Sequence, residues 1–248
     1  MAAKRSITKV SIIIPAYNEE RTIEMLLQKV IDVTIPVQKE IIIVDDGSKD
    51  HTAELVRGFM EKHNEYDMVL LRKRNGGKGS AIREGFKRAT GDVYIVQDAD
   101  LEYDPRDYAR LLRCFEQNDA DVVYGSRILE QRKKTRRLIL RGKHHHSSIM
   151  AYIGGRVITI ATNILFGSRL SDEPTCYKAY RADLGSLLQF SNDRFGWEPE
   201  ITAKLLKQGI KIFEVPIRYY PRSRIDGKKI GWMDAAEALG ILLMERLR

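Results

Sequence analysis

Five short apolar runs, each followed by a turn and then by a segment of helical periodicity, constrain this chain more than any other feature. They are VSIIIP (10–15), KEIIIVDD (39–46), DMVLLRK (67–73), DVYIVQD (92–98) and DVVYGS (121–126). Continuous apolar runs of this length are what parallel strands show when helices bury both faces of their sheet. The intervening segments predict helices over 19–32, 51–63, 78–89 and 105–117, the last opening on Pro105, which suits a first helical turn. This is a doubly wound α/β pattern. In such sheets the functional groups collect at the carboxyl ends of the strands, near the switch in strand order. PAYNEE, DDGSKD, KRNGGKGS, DADLE and GSR all fall at that edge. After residue 127 the pattern changes to a basic stretch, a long amphipathic segment and helices near 197–208 and 231–246. With 248 residues, 43% of them hydrophobic, one domain spanning 1–248 with one large core is expected, and no internal repeat is found.

Several classes drop out early. Cys114 and Cys176 lie far apart without metal-ligand spacing, which points to buried thiols in a reducing compartment. The N-terminal MAAKRSITKV lacks an apolar signal core, and no window reaches 18 uninterrupted apolar residues. A cytosolic location is therefore expected. The net charge of +8 and pI near 9.4 favour anionic partners without choosing among nucleotides, nucleic acid and lipid headgroups.

The stretch GDVYIVQDADLEYDP places Asp98, Asp100, Glu102 and Asp104 at alternate positions behind an apolar run. Asp104, followed by Pro105 and a helix, reads as a cap. The other three are harder to dismiss. Residues two apart in an extended chain point the same way, and like charges held together repel unless a cation lies between them. Hard oxygen ligands suit Mg²⁺ or Mn²⁺. A calcium EF-hand is excluded, because Tyr103 stands where its glycine belongs and Ala109 where its glutamate belongs.

The glycine-rich RNGGKGSAIREGF is neither a P-loop nor a dinucleotide loop. Gly79 follows Lys78 where Ser or Thr is needed, Arg72 takes the place of the upstream glycine, and Ile82 takes that of the last dinucleotide glycine. A plain loop before a helix and a phosphate-contacting turn flanked by Lys78 and Arg83 remain equally open.

PAYNEE, VDDGSKD, GKGSAIREG and QDADLE, in that order after the first four strands, together resemble the family 2 glycosyltransferases of GT-A fold. YGSR (124–127), LSDEPTCYKAYR (170–181), FGWEPEITAKLLKQG (195–209) and VPIRYYPRSRIDGKKIGW (215–232) extend the resemblance to the branch acting on polyprenyl phosphates, the dolichyl-phosphate mannose and glucose synthases. The resemblance implies a nucleotide-sugar-binding half over 1–127 and an acceptor-binding half over 128–248. It implies that Pro15, Tyr17 and Glu19 line the nucleoside pocket, that Asp45 or Asp46 reaches the base or ribose, and that Lys78 flanks them. Asp98, Ala99 and Asp100 would meet the nucleotide sugar, and Asp98, Asp100 and Glu102 would hold Mg²⁺ or Mn²⁺ on its diphosphate. Arg127 would bind the acceptor phosphate, with Ser148 and Arg156 as further acceptor residues. Arg222 and Lys229 resemble a basic clamp over the diphosphates and, with Asp100 and Arg127, make up the expected catalytic set. DEPTCYK replaces the mannose-synthase DPMSG-like pattern, so mannose and glucose, and GDP and UDP, stay open.

The expected chemistry is inverting transfer of a hexose from a nucleotide diphosphate sugar to a polyprenyl phosphate at the cytosolic face of a membrane. An ionised phosphate oxygen needs no base. A hydroxyl acceptor would need one, and Asp172, Glu173 and Glu198 are the residues that could serve; ion pairs or caps are their other reading. RKKTRRLILRGKHHH (132–146) carries seven Lys or Arg and no acid, and an amphipathic segment follows it. Contact with an anionic membrane surface is expected there, peripheral and with room for a separate membrane subunit. Three consecutive histidines diverge and do not make a zinc site. No helix-turn-helix, zinc-finger or RNA-binding signature accompanies the basic run, so no nucleic-acid partner is expected. A nucleotidyltransferase would need a glycine-rich first loop where this chain has PAYNEE.

Overall fold

The computed structural model describes residues 5–134, 149–221 and 232–248, with side chains over 5–131, 152–221 and 235–248. Its first half follows the alternation in the sequence. Strands β1 (Lys9–Ala16), β2 (Gln38–Asp45), β3 (Asp67–Arg72), β4 (Val93–Val96) and β5 (Val122–Ser126) alternate with helices α1 (Ile23–Asp32), α2 (Thr52–Lys62), α3 (Lys78–Arg88) and α4 (Tyr108–Asn118). Helix α1 starts four residues later than its periodicity predicts, because residues 19–22 form a turn closed by the Thr22 and Ile23 N–H groups on the Glu19 carbonyl. Asp104 caps as read: its carboxylate accepts from the Arg106 N–H at 3.0 Å, over a 3₁₀ turn at Pro105–Asp107 that leads into α4.

The second half completes the mostly parallel sheet expected for a GT-A fold and supplies its antiparallel member. After α5 (Arg127–Lys134) and α6 (Ile149–Phe166) come β6 (Lys178–Arg181), α7 (Trp197–Lys207), β7 (Ile212–Pro216) and α8 (Trp232–Leu247). The seven strands lie in the order β3-β2-β1-β4-β6-β5-β7. β6 runs antiparallel to both β4 and β5, while β7 pairs parallel to β5. A four-residue strand reading KAYR carries no legible alternation, and its Lys178 is fully buried all the same.

The sheet sets the site. The chain steps outward from β1 to β3 and then returns to place β4 on the other side of β1, so the switch in strand order lies between β1 and β4. PAYNEE and QDADLE leave the carboxyl ends of those two strands, the place where an open α/β sheet opens a crevice. Ile12 and Ile14 join the main core with Leu26, Leu27 and Val30 of α1, whereas Ile13 faces α3. There Gly85 lies so close to Ile13 that any Cβ at that position would collide with its side chain. α6, α7 and α8 share a second apolar cluster built on Ile158, Ala203, Ala238 and Leu242. Among the described residues, no helix is long and apolar enough to cross a membrane.

Candidate active site

The carboxylates behind β4 do not stand in extended chain. β4 ends at Val96, and Leu101 takes a left-handed φ of +64°, so the alternate positions no longer share a direction. Asp100 accepts the Glu102 N–H at 3.0 Å and closes a short turn. Asp98 turns to Lys78, with 2.9 Å between Nζ and Oδ1, while the buried Glu102 accepts from the Tyr219 hydroxyl at 2.8 Å. Among the described residues no three His, Cys, Asp or Glu side chains gather as a metal-binding group, so the expected trio of Asp98, Asp100 and Glu102 is not assembled as a set. Ala99 is buried between them.

Gln97 carries no signal in the sequence, yet it anchors this segment. Fully buried, it accepts from the Tyr108 hydroxyl at 2.7 Å and the Tyr177 hydroxyl at 2.6 Å, and its amide donates to the Asp98 carbonyl at 2.9 Å. Three buried side chains thereby fix the backbone from which Asp98 projects.

At the carboxyl end of β1, Pro15, Tyr17 and Glu19 are half-buried, and the Glu19 N–H donates to Thr52 at 2.8 Å. Asp45, at the end of β2, is buried and accepts from Arg72 at 2.8 Å and from the Ser48 N–H at 3.0 Å. Asp46 accepts from Lys73 at 2.6 Å, the Gly76 N–H at 3.0 Å and the Gly77 N–H at 2.7 Å. A protein carboxylate thus occupies the anion-binding position of the glycine-rich loop, before a helix whose cap residue, Gly77, has φ +102°. These bonds give the loop a structural role.

Lys78 opens α3, and its ammonium reaches Asp98, Glu198 Oε1 at 3.4 Å and Cys176 Sγ at 3.7 Å. Burial works to lower its pKa, but the surrounding negative groups outweigh it and hold the pKa well above the ordinary lysine value. Burial, followed by the Asp98 charge, pushes the Cys176 thiol up, so the charged partners of Lys78 are the two carboxylates.

A second cluster, in the second half of the chain, centres on Arg127, at the start of α5. Its Nε and Nη2 make 2.8 and 2.7 Å bonds to the two oxygens of Asp172, and its backbone N–H donates to the same carboxylate at 2.8 Å. Nη2 also donates to the Pro174 carbonyl at 2.8 Å, and the guanidinium lies 5.2 Å from the Tyr219 ring centre. Arg156 arrives from α6 and donates to the Ser171 carbonyl at 2.7 Å. Consecutive residues, Ser171 and Asp172, therefore receive the two arginines, and Glu214 on β7 holds that loop through the Ser171 and Asp172 N–H groups at 2.7 and 3.0 Å. Tyr219 joins the two halves, with Arg127 over its ring and its hydroxyl on Glu102. Ser148, Arg222 and Lys229 lie outside the described residues, as does most of the basic run.

The three carboxylates that could serve a hydroxyl acceptor, Asp172, Glu173 and Glu198, are each engaged by other side chains, which is their ion-pair or cap reading. Burial would raise the Asp172 pKa, but Arg127 holds it below the usual carboxylate range. Glu173 is 1% exposed and burial raises its pKa. The Thr202 hydroxyl donates to Glu173 at 2.9 Å, and the buried Lys178 ammonium lies 4.0 Å from the same carboxylate. Glu198 is tied to Lys78.

Comparison with known proteins bears on the family and the fold. The chain is 30% identical over 208 residues to the undecaprenyl-phosphate 4-deoxy-4-formamido-L-arabinose transferase of Pectobacterium carotovorum, covering 83% of this chain and 59% of that protein. It is 37% identical over 122 residues to the dolichol-phosphate mannosyltransferase of Pyrococcus furiosus, covering 49% of this chain and 34% of that one. The chain thus spans less than two thirds of the length of these relatives. Glucosyl-3-phosphoglycerate synthase of Mycobacterium tuberculosis, solved with Mn²⁺, UDP and glucosyl-3-phosphoglycerate, superimposes with a TM-score of 0.66 at 18% identity, over 96% of this chain and 80% of that one. Its complex with Mg²⁺ and UDP gives 0.68 at 16% identity, over 96% and 79%. The GT-A fold expected from the sequence is therefore the fold observed. The family model described as "Glycosyl transferase family 2" matches residues 11–184, well over half of the chain, and the chain belongs to that family.

Proposed function

We propose that the protein transfers a hexose, with inversion, from a GDP- or UDP-sugar to a polyprenyl phosphate at a membrane surface. The observation that carries this reading is the convergence of Arg127 and Arg156, from different helices, on the Ser171–Asp172 loop. Two guanidiniums held at one loop suit a phosphate acceptor. The relatives named for undecaprenyl-phosphate and dolichol-phosphate transfer support the same acceptor class. An oxygen of the acceptor phosphate attacks the anomeric carbon, the bond from that carbon to the diphosphate breaks, and the nucleoside diphosphate leaves. The nucleophile is already ionised, which fits the engagement of Asp172, Glu173 and Glu198 by other partners.

Pro15, Tyr17 and Glu19 at β1, Asp45 and Asp46 at β2, and Lys78, Asp98 and Ala99 would form the donor pocket. Asp100 and Glu102 are hard oxygen donors on one turn, a set that fits Mg²⁺ or Mn²⁺ shared with a diphosphate, since magnesium sites commonly use one or two carboxylates plus phosphate oxygens. Such an ion would supply charge stabilisation to the leaving group. Arg222 and Lys229 keep the clamp role that the sequence resemblance implies, and Ser148 that of an acceptor contact.

The membrane reading has its own support. Ile153, Val157, Ile160 and Ile164 recur along one stripe of α6 and are exposed, as are Leu243, Met244 and Leu247 on the adjoining α8. α6 has no acidic residue, and the basic run precedes it in the chain. An apolar face beside a cationic stretch suits an anionic bilayer surface. The test is transfer of label from GDP-mannose, GDP-glucose, UDP-glucose and UDP-4-deoxy-4-formamido-L-arabinose, with Mn²⁺, to short-chain polyprenyl phosphate or to the matching alcohol. Label passing from a hexose donor to the phosphate alone supports the reading; label on the alcohol, or transfer from the arabinose donor only, overturns it.

A further inference from the structure

The contacts of Lys78 point to a role for Glu198 that base chemistry does not require. Lys78 is the first residue of α3, Asp98 follows β4, Cys176 precedes β6 and Glu198 lies in the first turn of α7. One ammonium with three N–H donors therefore meets three elements, at 2.9 Å to Asp98, 3.4 Å to Glu198 and 3.7 Å to the Cys176 sulfur, with the Phe195 ring centre 5.8 Å away. The lysine side chain is 16% exposed, and those of Asp98 and Glu198 are 19% and 12% exposed. The backbone beneath is locked as well. Asp46 holds Gly76 and Gly77 before α3, and the Ser80 N–H donates to the Asp193 carbonyl at 2.9 Å, docking the segment before α7 onto the first turn of α3. A four-carbon lysine stem has little reason to keep one rotamer unless its head is held from more than one side, and Glu198 supplies the second carboxylate.

We propose that Glu198 is a positioning residue, which fixes the Lys78 ammonium and through it holds Asp98 in place at the donor pocket. This rests on the reading of the pocket as a nucleotide-sugar site. A glutamine at 198 keeps an oxygen that accepts from Lys78, whereas a leucine keeps the bulk and offers no acceptor.

The test uses the full chain and measures UDP and GDP affinity by calorimetry, with and without Mn²⁺ and with no acceptor present, alongside transfer kinetics. Glu198→Gln should stay within about threefold of the parent in nucleotide Kd and in kcat. Glu198→Leu should raise the nucleotide Kd and the donor KM about tenfold together, with kcat at saturating donor changed less than about threefold. Because the ammonium is the intermediary, Lys78→Met with Glu198→Leu should be no worse than Lys78→Met alone. A general base would behave otherwise: Glu198→Gln would cost about a hundredfold or more in kcat at unchanged KM. That result, an unchanged Kd in Glu198→Leu, or additive losses in the double variant would each overturn the proposal. A wrong acceptor leaves these affinities untouched, and a parent that binds neither nucleotide overturns the donor reading and this proposal together.

Discussion

Replacing Asp172 by asparagine isolates the contribution of its pair with Arg127. The aspartate receives three bonds of 2.7–2.8 Å from Arg127, with side chains 5% and 22% exposed. Asparagine preserves volume and one accepting oxygen, but it removes the charge and turns an NH₂ group toward a guanidinium that can only donate. Removing one partner of a buried pair costs about 3–5 kcal/mol. The residual exposure of Arg127 and the retained oxygen place this case at the lower end, about 3 kcal/mol. In a domain of this size that corresponds to a fall in Tm of about 6–12 °C. Urea unfolding at pH 7 measures it directly. The pH dependence follows from the depressed pKa of Asp172: its stabilisation is present above the unfolded value near pH ~4 and is lost as pH falls through the lower folded value. The gap between parent and variant should therefore narrow in acid. Arg127→Met combined with Asp172→Leu should recover part of the loss, because a buried pair replaced by apolar groups is often neutral. A variant within about 0.5 kcal/mol of the parent at pH 7, or a gap that stays constant down to pH ~3, would refute the reasoning.

Asp100→Asn should abolish transfer while leaving the circular dichroism and Tm of the parent, and near-normal turnover in Mn²⁺ would remove Asp100 from the metal site. Gly85→Ala should destabilise by roughly 1–3 kcal/mol in urea, since its methyl meets Ile13 and the core must shift; an unchanged midpoint would show that the helix moves freely. Cys176 is 3% exposed and a neutral thiol, so alkylation by iodoacetamide followed by mass spectrometry should proceed only as fast as the protein opens. Sedimentation with anionic vesicles should weaken with added salt, and also when Val157 and Ile160 on the exposed stripe of α6 become serine; binding that ignores both changes would place the membrane contact elsewhere.

Much of this was legible in residue order. Apolar runs at 10–15, 39–46, 67–73, 92–98 and 121–126 became β1 to β5, since parallel strands buried on both faces must be apolar throughout, and only β3, at the sheet edge, is half-exposed. The motifs lie at the carboxyl edge of the sheet, and Asp104 capped its turn as expected. β6 and β7 stayed hidden because strands of four and five residues, one with a buried lysine, carry no period of their own; pairing with β4 and β5 defines them.

The carboxylates of 98–104 show most plainly where local reading stops. Their spacing is a fact of sequence, but their directions depend on a strand that ends at Val96 and on Leu101 in the left-handed region. Asp46, expected at the pocket, also clamps a loop 30 residues later, and Lys78, expected at its flank, also binds groups 20 and 120 residues away. Local apolar period and motif order thus determine which strands form and at which edge chemistry collects, because both depend on neighbours in the chain. Which carboxylate holds a lysine, which holds an arginine and which holds a loop is decided only by tertiary structure, because a charge takes its partner from whatever the fold brings within about 3 Å of it.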